Sequence, residues 1–521
     1  MKRHVRKPLY YNQFLASMEK KTIIIIGAGI AGLAAGCYAQ MNGYRTKIFE
    51  LHYLPGGLCT AWERKRYVFD GCIHYLFGTA PHQPFNRVWA ELGALDGRSI
   101  IHHSEFMRVV NPDGTTLIAY ADPERLNQHM KSLSPTDTKL IDRLTGAINT
   151  FERFDMSLLQ QKPRALMTPL DWARLGKQMM PFVPALAEFG MLNAREFASR
   201  FKDPFLKCAV AQMFGWEEIP MMAGLALLAY MHIGNAGFPA GASLEFARAI
   251  EKRYLALGGE VRYNAPVEKI LVENHTAVGV RLYNDEIHHA DLVISAADGR
   301  GTIYDLLGGE YLTSQIKSFY NGSFPIHSQI QVSLGVDLDL STDPHWVTHL
   351  LEKPVLIAGI ERKEIGIKNY CFDPSLAPPG KSVVEAMWRI NYGYWQRIYG
   401  HRLYDSEQEQ VADLIIDQIE RFIPGIRSKI EIVDVATPIS YERYTGNWQG
   451  SSCGWLLTNK TMLYMLLGMR KTLPGLHNFY QIGQWVEPGG SVPIVAMSGR
   501  NIIQQICHAD HKPFITTEAN A

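Results

Sequence analysis

The run Gly27-Ala28-Gly29-Ile30-Ala31-Gly32 has the spacing with which a chain lays its backbone against a pyrophosphate. Gly27 permits a tight turn, Gly29 leaves no side chain in the path of the phosphates, and Gly32 lets a helix pack closely on a strand. Ile30 and Ala31 open a helix whose free N–H groups and positive dipole end would face the phosphates. Glu50 follows where a carboxylate can accept ribose hydroxyls, and it would repel a 2′-phosphate, which disfavours NADP. Gly56-Gly57, with Leu58 next, suggests a second close approach of backbone to the same ligand, which simple NAD dehydrogenases do not need. These residues require a strand, a turn, a helix and another strand in that order. The isoleucines at 23–26 read as a central parallel strand covered on both faces, residues 30 to about 42 as a small-residue helix, and 46–49 as the second strand. In that setting the GxGxxG is read as a dinucleotide site.

The chain has 521 residues, enough for two to four structural units at roughly 150 residues each. Its composition is globular, with 47% hydrophobic and 20% charged residues, so it can bury a large core. A formal net charge of +1 argues against a dominant nucleic-acid surface. The seven cysteines form no CxxC pair, so a zinc ribbon, a thioredoxin-like centre and a disulfide framework are disfavoured, no metal site is expected, and a reduced intracellular protein is the simplest reading. The basic N-terminus lacks an apolar core of the secretory kind and reads as a solvated arm, with contact to anionic lipid as the alternative. No run of about 20 apolar residues would span a bilayer, and 221–233 reads as a buried helix.

Three stretches carry a resemblance. Residues 23–75 hold the GxGxxG, the Pro55-Gly56-Gly57 turn and Phe69-Asp70-Gly71 with His74 and Tyr75 after it; 237–298 and 478–506 follow in order. Together they resemble the flavin amine-oxidase superfamily, and within it the branch of FAD-dependent phytoene desaturases, carotenoid isomerases and retinol saturases. The resemblance implies an α/β fold: a Rossmann-type FAD-binding domain from 20–80, 235–310 and 471–521, and a discontinuous mixed α+β substrate domain from 81–234 and 311–470. It implies FAD as cofactor, with backbone near Val267 on the adenine side, and Gly483, Gly490, Val492 and Pro493 bringing a helix N-terminus to the ribityl chain and pyrimidine edge. Two positions depart from the superfamily: Leu58 stands where many amine oxidases have Arg, and Gln484 where many of these flavoproteins have Asp. The second departure is shared with bacterial phytoene desaturases and demotes amine oxidation. No second GxGxxG follows a strand, so the electron partner stays open.

The activity implied is an FAD-dependent oxidoreductase acting on carbon–carbon bonds of a lipophilic unsaturated substrate, by desaturation, saturation or cis–trans isomerisation. A flavin oxidase of an amine or small polar molecule and a non-catalytic FAD-binding escort protein are the alternatives. The acid/base candidates are Glu487, which precedes the Pro-Gly-Gly turn, then His74 and Tyr75. Tyr441, Tyr444 and Trp448 are candidates for aromatic substrate walls, with ordinary core aromatics as the plain reading. Residues 329–336 and 383–390 read as strands that could floor a cavity, and 108–110 and 115–120 as a hairpin. Segments 165–192 and 462–473 have two readings: helices capping the cavity, or a patch dipping into a membrane so that a lipophilic substrate need not cross water. The expected location is cytoplasmic, with peripheral contact on the inner face of a membrane under the second reading; oligomeric state is open.

Overall fold

The four isoleucines are buried in strand Thr22–Ile26 at the centre of a five-stranded parallel sheet. Across that sheet the strands run Glu260–Arg262, Arg45–Phe49, Thr22–Ile26, Leu292–Ser295, Phe479–Gln481, with Ile25 between Ile48 and Ile294. A continuous apolar strand fits because both faces are covered. Helix Ile30–Met41 lies on one face and packs against helices Ala242–Ala256 and Val492–Ala509. Gly499 makes the second crossing close: a Cβ there would sit 2.5 Å from the carbonyl oxygen of Ala31. On the other face, Ile24, Ile26 and Phe49 pack against a three-stranded antiparallel sheet, Val267–Glu273, Thr276–Leu282 and Ile287–His289. This computed structural model describes residues 20–155 and 162–516; the basic N-terminal arm read from the sequence lies outside them.

A larger, seven-stranded sheet runs Ile430–Ala436, Ser328–Val336, Ser382–Ile390, Ile360–Asn369, Trp346–Ile357, Glu105–Val110, Thr116–Tyr120. Two of its strands come from before residue 121 and five from after residue 327. Every pairing in it is antiparallel except Trp346–Ile357 with Glu105–Val110. Side chains alternate across this sheet. Ile365, Ile367, Val384 and Ala386 pack against Ile415, Ile416 and Ile419 of helix Tyr404–Phe422. Arg362, Glu364, Lys368, Glu385 and Arg389 point the other way, onto a large cavity. Helices Thr138–Phe151, Pro204–Gln212 and Met221–His232 share a separate apolar core on the far side of that cavity. Among the described residues, no helix is long and apolar enough to cross a membrane.

Candidate active site

One continuous cavity of about 1660 Å³ joins the two sheets. It exceeds the roughly 300–1,000 Å³ of an ordinary small-molecule site. One end is made almost wholly of backbone. Gly27, Gly29, Ile30, Ala31, Glu50, Gly56, Gly57, Leu58, Gly483, Gly490, Val492 and Pro493 all line it. A Cβ on Gly29 would meet only the Gly56 carbonyl oxygen, at 3.8 Å, so the glycine opens onto ligand space. Gly32 does not line the cavity: its Cβ would fall 2.0 Å from the Gly27 carbonyl oxygen, so its role is helix–strand packing. Gly56 has φ +106, and a Cβ there would meet the Cys59 carbonyl oxygen at 2.2 Å, so the second glycine pair is required by its own turn.

Helices Ile30–Met41 and Val492–Ala509 both begin at this end, and neither has a side-chain cap. Their first N–H groups are orphan donors, suited to phosphate and carbonyl oxygens. Glu50 is buried; it accepts from Ala28 N at 2.6 Å and from His52 N at 2.9 Å, which holds the carboxylate beside the turn. Burial raises its pKa, and the backbone N–H groups work against that rise. Asp298 also lines the cavity and accepts from Gly301 N and Trp448 N; burial pushes its carboxyl up to about 6. A glycine cradle, two uncapped helix ends and a buried ribose acid together fit an FAD. Val267 is buried in the apolar core that also holds Phe49 and does not line the cavity.

The far part of the cavity is made of side chains. His74 and Tyr75 line it, together with Phe77, Phe106, Tyr230 and Trp346. The loop bearing His74 is tied to the glycine end: Ser243 Oγ accepts from Ile73 N at 2.8 Å, and the Ser243 carbonyl accepts from the Cys59 thiol at 3.6 Å. Asp70 anchors the same loop, accepting from Ser243 N, Ser243 Oγ and Cys72 N at 2.9, 2.6 and 2.9 Å. Burial makes the Tyr75 phenol harder to ionise, to about 12, and keeps His74 neutral, with Lys368 adding to the effect.

The geometry corrects two expectations. Glu487 does not line the cavity; its buried carboxylate forms an ion pair with Lys471 and is not placed to exchange protons with a bound substrate. The three proposed aromatic wall residues do not line it either. Tyr441 is buried between Gln329 and Gln331, Tyr444 is exposed beside His52, and Trp448 packs on Tyr320 and Trp485. Sequence reasoning missed Lys368 and Glu385, both buried and both on the cavity floor.

A family model, flavin containing amine oxidoreductase, matches residues 30–507, and the chain belongs to this family. It is an FAD-dependent oxidoreductase. Over 501 residues it is 26% identical to the chloroplastic prolycopene isomerase of Daucus carota, covering 91% of this chain and 78% of that protein. It is 25% identical to the lycopene-forming phytoene desaturase of a Paracoccus species, covering 94% of this chain and 97% of that one. A putrescine oxidase structure with putrescine bound shares the fold at a TM-score of 0.58 and 13% identity, covering 94% of this chain and 99% of that one.

Proposed function

We propose that this enzyme alters carbon–carbon bonds of a lipophilic, unsaturated isoprenoid-like substrate, by desaturation, saturation or cis–trans isomerisation. The carrying observation is the continuous cavity, which starts at the glycine cradle, passes over a floor that carries Arg362, Glu364, Lys368, Glu385 and Arg389, and continues between aromatic and aliphatic walls to a mouth edged by Met and Leu side chains. FAD supplies hydride transfer at carbon when bound, and the chain's own residues position an extended apolar molecule against it. Gly27, Gly29, Gly56 and Gly57 would hold the nucleotide by backbone, and Glu50 the ribose. Phe77, Phe106, Tyr230 and Trp346 exclude water around the substrate. By their names, the two relatives above act on prolycopene and on phytoene, which supports the same substrate class here.

The rim extends the proposal to a membrane. Met179, Leu186, Met191, Met462, Leu463 and Leu466 line the cavity where it meets the surface. Asn459 ties the two rim segments together, its Nδ2 donating to the Met191 carbonyl at 2.6 Å. Met180, Met191 and Leu463 are exposed by 66, 76 and 56%. Exposed apolar side chains around a cavity mouth suit peripheral contact with a bilayer, from which a lipophilic substrate could enter without crossing water. The proposed location is accordingly cytoplasmic, at the inner face of a membrane.

The test is incubation of FAD-loaded protein with phytoene or prolycopene in liposomes, with chromatography of the extracted polyenes. A change in double-bond number or geometry that needs FAD is expected. Unchanged polyenes under both oxidising and reducing conditions would overturn the proposal.

A further inference from the structure

Lys368 and Glu385 are directly opposite each other on neighbouring central strands of the cavity floor. Lys368 is 4% exposed and Glu385 0%, so the polar pair is sealed into a rigid sheet rather than placed on a loop. Lys368 Nζ lies 2.7 Å from His74 Nδ1 and 4.4 Å above the ring of Tyr370. Ser333, the residue paired with Glu385 on its other side, places its hydroxyl 3.4 Å from Glu385 Oε1. His74 is only half-buried and lines the cavity. With Nδ1 committed to Lys368, its other ring nitrogen, Nε2, has no partner among the described residues.

We propose that His74 exchanges a proton with the substrate through Nε2, and that Lys368, balanced by Glu385, is the positioning residue that sets which form of His74 faces the cavity. This rests on the reading that a polyene occupies the chamber. When Lys368 is neutral, His74 Nδ1–H donates to Nζ and Nε2 presents a lone pair. That lone pair would take a proton from a carbon next to a cationic centre, of the kind that hydride loss to a bound FAD would supply. The C–H electron pair becomes the new π bond, and the positive charge passes to the His74–Lys368 pair. When Lys368 is protonated, Nζ–H donates to Nδ1 and Nε2–H faces the cavity as the acid of the reverse step. A rigid acid–base pair behind one imidazole therefore serves either direction.

The electrostatics agree. Burial lowers the Lys368 pKa and raises that of Glu385, while Glu385 and Asp70 oppose the fall at Lys368. Asp70 also raises Glu385, while the Ser333 hydroxyl works against that rise. Beyond Lys368, His103 and His345 stack at 3.8 Å and are held neutral, at about 4 and about 2, chiefly by burial, so they add no charge near neutral pH.

The test is ¹⁵N NMR of holoenzyme labelled at histidine, with the His74 signals assigned by their loss in His74→Gln. In the unaltered protein His74 should stay neutral through the mildly acidic range and switch tautomer as Lys368 loses its proton. Lys368→Met should abolish the switch. Glu385→Gln, a milder change that serves if Lys368→Met does not fold, should move the switch to lower pH, because the charge that supports protonated Lys368 is gone. His74 signals that titrate identically in the unaltered protein and in either variant would overturn the proposal. In single-turnover mixing with phytoene or prolycopene, Lys368→Met should slow the flavin absorbance change by roughly 10²–10⁴-fold and flatten its pH profile. A normal tautomer switch with no response to either polyene would sink the substrate reading and leave the proton pair standing. A response to polyene that is unaltered in Lys368→Met would do the reverse.

Discussion

The two ends of the cavity are built from different materials. At the nucleotide end the working groups are backbone N–H donors, and the side chains that matter are mostly missing ones, at Gly27, Gly29, Gly56 and Gly57. At the far end the working groups are side chains on a sheet floor, where Lys368, Glu385 and His74 meet from strands and a loop up to 311 residues apart (385 − 74). A backbone site tolerates little except glycine at its closest approach, and it binds any ligand with the right phosphates. A side-chain site can be retuned one residue at a time. The family's common cofactor fits the first kind of construction, and a spread of polyene chemistries fits the second.

The largest expected effect separates ligand space from packing at the nucleotide end. Gly29→Val should yield colourless protein with a normal far-UV circular dichroism spectrum, because only ligand space is filled. Gly32→Ala, three residues on, should instead destabilise the fold itself by about 1–3 kcal/mol in urea unfolding, because the new carbon meets the Gly27 carbonyl. If both lose FAD with intact folds, the distinction between them is wrong. Next, Lys471→Met should cost about 3–5 kcal/mol by leaving the buried Glu487 carboxylate uncompensated. Glu487→Gln should leave the pH profile of turnover unchanged, and a lost inflection would return Glu487 to the chemistry.

Asp298 gives a pH effect of about 3 kcal/mol at most. Its carboxyl, ordinarily at 3.8, sits at about 6 when folded, so the folded chain holds the proton longer. That contribution is complete below about 3.8 and is lost as pH rises through about 6. Urea midpoints measured across this window should fall more steeply in the unaltered protein than in Asp298→Asn; parallel curves would contradict it. The smallest effect belongs to Tyr441→Phe, which removes hydrogen bonds with Gln329 and Gln331 and should cost about 1 kcal/mol with KM for a polyene unchanged.

The nucleotide end was legible because its residues are contiguous and their spacing has one physical use. Strands and helix from 22 to 49 appear where the apolar run and the glycines put them. Two floor strands, Ser328–Val336 and Ser382–Ile390, were legible as 329–336 and 383–390, but not for what they carry, and the strand Ile360–Asn369 that holds Lys368 was not read at all. Lys368 and Glu385 alternate with Ile367, Val384 and Ala386, a pattern that reads as one apolar face and one solvated face. Here a ligand-sized cavity takes the place of bulk solvent, and nothing local in the sequence marks the difference. Glu487 misled for the related reason that its partner, Lys471, precedes the last strand, so proximity to the Pro-Gly-Gly turn said nothing of which way the carboxylate points. Tyr441 and Trp448 were dense aromatics without a visible direction; one serves glutamines and the other a core around Tyr320 and Trp485.

The most direct test of the account is whether the apolar chamber and the flavin share one space. FAD-loaded protein would be titrated anaerobically with phytoene or prolycopene in liposomes, and separately with putrescine, while the flavin absorbance bands are followed. The account predicts a saturable band shift or bleaching with a polyene and none with the diamine. A response to putrescine alone would contradict it.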